Sequence, residues 1–69
     1  MSTGELLENR REKLGLTYKQ IQLSLGCDEK TLRNYFNGTT KGGLYLTLLL
    51  ELLDISTQEW NLVLKQSLY

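Results

Sequence analysis

The sequence predicts an all-α domain of five short helices. Three observations carry this. Ser2-Thr3-Gly4-Glu5, Thr17-Tyr18-Lys19-Gln20 and Ser56-Thr57-Gln58-Glu59 each place a hydroxyl three residues before a Glu or Gln, the pattern in which two side chains satisfy free backbone donors at a helix start. Apolar residues recur three or four apart, as in Ile21/Leu25 and Leu46/Leu49/Leu50/Leu53, which gives each helix one apolar face. No stretch alternates apolar and polar residues as a half-buried strand does, and there is no internal repeat or low-complexity segment.

The first helix is expected over residues 3–14, with Leu6, Leu7 and Leu14 on its apolar side and Arg10, Arg11 and Lys13 toward solvent or a phosphate. Gly15 suits the left-handed residue that ends it. Thr17 opens the second helix, 18–25, where Ile21 and Leu25 form the apolar stripe and Leu23 is expected to join them with Leu14. Gly26 stops it, Cys27 follows as a small apolar residue, and Asp28 caps the third helix, 29–36. Leu32, Tyr35 and Phe36 are its buried side, and Asn37-Gly38 is its stop. A polar loop at 39–43 leads to the fourth helix, 44–53. That helix has two apolar stripes, the second being Tyr45, Leu48 and Leu52, so it must be covered on most sides. Asp54-Ile55 breaks the pattern, and the fifth helix, 57–67, brings Trp60, Val63, Leu64 and the nearby Leu68.

Size and composition exclude several functions. The chain has 69 residues, one domain near the lower limit for a lone core. It has no His and one Cys, so a disulfide within it is impossible and the usual zinc ligands are too few. No nucleophile stands beside a base, and Gly42-Gly43 is no phosphate-binding loop, so no enzyme and no cofactor is expected. The start lacks the apolar run of a leader, and the leucine-rich stretch is too short to span a bilayer, so a reducing cytoplasmic setting is expected. Eight Lys and Arg balance eight Asp and Glu, a neutral total that is unpromising for a nucleic-acid binder. The distribution is polarised, however. Residues 17–41 hold Lys19, Lys30, Arg33 and Lys41 against Asp28 and Glu29, whereas residues 42–69 hold Lys65 against Glu51, Asp54 and Glu59.

The run LGLTYKQIQLSLGCDEKTLRNYFNG resembles the helix-turn-helix of the lambda repressor and Cro family, the Xre-like regulators. The matching positions are Leu14-Gly15-Leu16-Thr17, Ile21, Gly26, Leu32 and Asn37-Gly38. Arg11 in the first helix, Lys41 in the loop, Leu46, Leu49 and Leu53, then Ile55-Ser56, follow without gaps. The resemblance covers roughly residues 7–60 and implies a five-helix lambda repressor-like fold. Four positions depart from the family's habit. Gln22 stands where Ala is usual, Phe36 where Glu often pairs with the basic residue at Arg11, Gly42-Gly43 where Pro or a base is common, and Glu29 where Gln, Arg or Ser is favoured. Arg11 is therefore expected to lose the partner the family often gives it.

The resemblance implies a sequence-specific DNA-binding regulator whose second helix of the pair enters the major groove. Glu29, Lys30, Arg33 and Asn34 then become base-edge candidates: Lys30 or Arg33 to guanine, Asn34 to adenine, Glu29 to cytosine N4. The same four would equally serve as the solvated face of an amphipathic helix. Tyr18, Lys19, Asn37, Thr40 and Lys41 flank them as phosphate candidates, with Thr39 open to either reading. The family's two-fold pairing makes Leu48, Leu52, Trp60, Val63 and Leu64 candidates for a homodimer interface, although Trp60 could instead close the core over Leu53 and Ile55. The expected partner is an operator in double-stranded DNA, and the size suits a small phage or plasmid repressor. The alternative is an antirepressor or modulator that binds another regulator protein, which the neutral charge, Glu29 and the surplus leucines favour.

Overall fold

A computed structural model describes residues 1–67 of the chain. Five helices follow one another: α1 (Thr3–Leu14), α2 (Tyr18–Leu25), α3 (Glu29–Phe36), α4 (Leu46–Leu52) and α5 (Thr57–Ser67). No strand occurs among the described residues. α1 packs on α3 and α5, while α2 packs on α3 and α4. Leu7, Ile21, Leu49 and Leu53 are wholly buried at the centre, with Leu6, Leu25, Cys27, Leu32, Tyr35, Leu50, Ile55, Trp60 and Val63 around them.

The caps explain where each helix begins. Ser2 Oγ accepts from Glu5 N–H at 3.1 Å, and Asp28 Oδ1 accepts from Thr31 N–H at 2.7 Å. At α2 both halves of the box form: Gln20 N–H donates to Thr17 Oγ1 and Thr17 N–H to Gln20 Oε1. At α5 only one half forms. Ser56 Oγ accepts from Glu59 N–H at 3.1 Å, but the Glu59 carboxylate turns away to Arg10, 2.7 Å distant. Arg10 also donates to the Asp54 carbonyl at 2.5 Å, so it clamps α1 to the head of α5 instead of facing a phosphate.

The stops are equally local. After α1, Leu16 N–H reaches Arg11 O and Gly15 N–H reaches Glu12 O, the paired bonds of a left-handed helix terminus. α3 ends the same way at Gly38, through Thr39 to Asn34 O and Gly38 to Tyr35 O. α4 repeats the motif with Ile55 to Leu50 O and Asp54 to Glu51 O. There the left-handed residue is Asp54, with φ 56°, where a side chain is disfavoured. Replacing Asp54 by Gly should raise stability by up to about 1 kcal/mol, seen as a higher denaturation midpoint with unchanged slope; a lower midpoint would show that the Asp54 side chain contributes more than its strain.

Three expectations need correction. Leu14 is 44% exposed and Leu23 73%. Leu14 is the last residue of α1, beyond the turns that pack. Leu23 lies about 200° around the helix from Ile21, so it faces solvent. α4 begins at Leu46, not at 44, because no hydroxyl or carboxamide caps it: Tyr45 occupies the N-cap with no side-chain bond. Leu44 is left 85% exposed in the preceding turn. Phe36, expected inside, is half-buried. Leu68 lies outside the described residues.

The Gly42-Gly43 pair has a structural reason. Tyr35, 1% exposed, donates its hydroxyl to Gly42 O at 2.6 Å. Gly43 has φ 96°, and a Cβ there would stand 3.2 Å from the same hydroxyl. The tyrosine thus fastens the α3–α4 loop to the core, and the loop must be glycine to pass so close.

Candidate nucleic-acid interface

α3 is held from below and open above. Leu32 and Tyr35, three apart, are 2% and 1% exposed and anchor it against the core. On a helix of 100° per residue the direction opposite these two is occupied by Lys30 and Arg33, with Glu29 and Asn34 on either flank. Glu29, Lys30 and Arg33 are exposed and Asn34 is half-buried. Arg33 pairs with Glu29 one turn earlier. Both side chains are more than two-thirds exposed, so that pair is worth at most a few tenths of a kcal/mol and yields readily to a better partner.

The flanking candidates fall into two groups. Tyr18 and Lys19 stand exposed at the head of α2. Asn37 and Lys41 are exposed beyond the end of α3, with Thr39; Thr40 is half-buried. Asn37 Oδ1 accepts from Thr39 N–H at 3.0 Å, so its side chain is also turn chemistry. Tyr18 is more engaged than its 46% exposure suggests. Its hydroxyl donates to Glu8, its ring meets Phe36 edge-on at 5.1 Å, and the Arg11 guanidinium sits 4.3 Å from its centroid.

Arg11 loses the family's usual partner, as expected, and takes another. With Phe36 in place of a glutamate, the carboxylate comes from Glu8, one turn back on the same helix; Arg11 Nε donates to it at 3.0 Å. Arg11 also donates to Leu16 O at 2.7 Å, which ties α1 to the turn before α2. The i, i+3 spacing of Glu8 and Arg11 was the signal available in the sequence; the part played by Tyr18 was not visible there.

This cluster carries a pH dependence. The hydrogen bond from Arg11 holds the Glu8 carboxyl below its usual value near 4.5, against an opposing effect of burial. A depressed carboxyl stabilises the fold above its unfolded pKa and loses that contribution as pH falls through the folded one. Stability should thus decline on acidification below about pH 4.5, and Glu8→Gln should flatten that decline in denaturant titrations run from pH 6 to 3. An unchanged slope against pH would remove Glu8 from the account. Asp28 is depressed likewise by its bonds from Thr31. Burial pushes the Cys27 thiol up, so it stays protonated and serves as a small packed residue.

Tyr18, Glu29, Arg33 and Asn37 share one groove of about 610 Å³ between α1, α2 and α3, with Glu5, Glu8, Gln22, Leu32 and Phe36 among its walls. Lys41 and Asn37 border a second hollow with Ser2, Thr3 and Gln66. Lys30 stands clear of both. Among the residues expected at a dimer seam, Trp60 and Val63 are 2% and 7% exposed and belong to the chain's own core. Leu48 is half exposed, and Leu52 and Leu64 are partly covered. Leu62, 57% exposed on α5, was not anticipated. Among the described residues no group of three His, Cys, Asp or Glu could hold a metal ion, and no helix is long and apolar enough to cross a membrane.

A search of curated proteins and a search of solved structures each returned no match. A family model described as helix-turn-helix matches residues 7–60, which include α2, the turn at Gly26-Cys27-Asp28, α3 and the start of α5. The chain belongs to the helix-turn-helix family of lambda repressor-like DNA-binding regulators.

Proposed function

We propose that this chain is a sequence-specific transcriptional regulator of the Cro or repressor type, a single domain acting in the cytoplasm on an operator in double-stranded DNA. The observation that carries the reading is the outward pair Lys30 and Arg33, displayed on a helix whose opposite side is locked down by Leu32 and Tyr35. Offered to a major groove, Arg33 or Lys30 donates to guanine O6 and N7, Asn34 pairs with adenine and Glu29 accepts from cytosine N4. Tyr18, Lys19, Asn37, Thr40 and Lys41 contact phosphates on either side and fix the register. Two copies join through Leu48, Leu52 and Leu64, with Trp60 and Val63 beneath them. That arrangement sets two α3 helices about 34 Å apart on a two-fold operator. A domain of this size suits a small phage or plasmid regulator governed by its own concentration.

Arg33→Ala tests the reading. It should weaken binding to the operator beside the chain's own gene by about 1–3 kcal/mol, roughly 5- to 150-fold. Lys41→Ala should instead weaken all duplexes alike and lower the salt slope by about 1. Equal loss on specific and random duplexes for Arg33→Ala would remove it from base reading.

A second reading is favoured by the neutral charge and by the three carboxylates that face the α1–α3 groove, Glu5, Glu8 and Glu29. On it the chain is an antirepressor or modulator that binds another regulator. Absence of any specific duplex complex at low salt would favour this reading over the first.

A further inference from the structure

The geometry points to the groove between α1, α2 and α3 as a docking site for an arginine-bearing segment of a partner protein. The groove has an apolar floor and an acidic rim. Leu32, Phe36 and the ring of Tyr18 form the floor; Glu5 and Glu8 of α1 and Glu29 of α3 form the rim. Arg33 is the one cation among its lining residues, and it is already engaged by Glu29. Glu8 is paired with Arg11 and Glu29 with Arg33, which leaves Glu5 as the carboxylate free to attract a further cation. A planar cation with an aliphatic stem matches both the floor and the rim.

The chain itself demonstrates the chemistry. Glu8 and Tyr18, two of the lining residues, already hold the Arg11 guanidinium by hydrogen bonding and by the ring face. Glu5 lies one turn before Glu8 on α1 and is exposed, and its carboxylate makes no hydrogen bond or ion pair with the described residues. An incoming guanidinium therefore finds an unengaged carboxylate in Glu5, beside the ring of Tyr18 and the half-buried Phe36, while Glu8 stays with Arg11 and Tyr18. This inference does not depend on α3 reading DNA. If it does, a partner seated here covers Glu29 and Arg33 and excludes the operator.

The test uses the full chain and a small probe, benzoyl-arginine amide, with the neutral benzoyl-citrulline amide as its control, followed by amide NMR. The arginine probe should shift Glu5, Glu8, Phe36 and Asn37 saturably, with a Kd on the order of 1 mM. The citrulline compound, and the arginine probe on Glu5→Lys, should each bind at least about fivefold more weakly. Glu5→Gln, with the wild-type spectrum as a check of folding, serves if the reversal perturbs the fold. Equal binding of the two probes, shifts confined to the Gln58–Leu62 side of α5, or no saturation would overturn the proposal. A chain that binds its operator but not the probe would remove only the groove site. A chain that binds the probe but no duplex would keep it and remove the DNA reading.

Discussion

Tyr35→Ala should leave little folded protein at room temperature. The side chain is 1% exposed and bridges helix and loop: its ring locks α3 to the core and its hydroxyl holds Gly42 O at 2.6 Å. Removing a buried aromatic ring costs about 3–5 kcal/mol through lost contacts and the cavity left behind. The orphaned carbonyl adds about 1 kcal/mol. A chain of this length has a total stability of only about 3–10 kcal/mol. Far-ultraviolet circular dichroism should therefore show most of the helix signal lost, or a midpoint shifted close to zero denaturant. Tyr35→Phe separates the two contributions. It keeps the ring, should cost about 1 kcal/mol, and should speed amide exchange across residues 39–45 without loosening α3. A fully stable Tyr35→Ala would mean that the loop and helix are held by something else.

The same residue shows what could be read in advance. That Tyr35 faces inward followed from its spacing with Leu32 and needed only the helical period. That its hydroxyl would meet Gly42, and that Gly43 would be required beside it, did not follow, because both depend on how a loop folds back in space. The helix ends were legible for the same reason: Thr17 with Gln20, Asp28, and Gly15, Gly26 and Gly38 act on backbone groups within five residues. The start of α4 is not legible in the sequence because leucines at 44 and 46 look alike to a periodic pattern, and only the missing cap distinguishes them. Arg10 and Glu59 each have a local role within their own helix pattern, yet they meet across the fold, 49 residues apart. Of the candidate interface, the exposure of Glu29, Lys30 and Arg33 followed from the anchor residues opposite them. The acidic groove did not, since its rim is assembled from two helices and its floor from a phenylalanine expected in the core.

Gly4→Val should also be damaging, although it adds only three carbons to a helix. Gly4 is buried in the first turn of α1, and a Cβ built there would stand 2.5 Å from Phe36 O and 3.3 Å from Gly38 N. Both neighbours are backbone at the end of α3, so neither can swing aside as a long side chain would. At an open helical site, replacing Gly by Ala gains about 1 kcal/mol. Here α1 must lift from α3 instead, at a cost of about 1–3 kcal/mol for overpacking, toward the upper end for the β-branched valine. Each kcal/mol should lower Tm by about 4–8 °C in a chain this small. Gly42→Ala is the matched control, since a Cβ there meets nothing within 4 Å, and it should change Tm little. The consequence reaches the interface. Phe36 floors the groove and α3 carries Lys30 and Arg33, so a lifted α1 opens the groove and tilts the helix that would be laid against DNA. Gly4→Ala, the milder change, should therefore lose probe and operator binding beyond what its unfolded fraction explains. If it melts at the wild-type temperature and binds both normally, α1 and α3 do not approach as closely as their backbones indicate, and the shape of the groove must be drawn again.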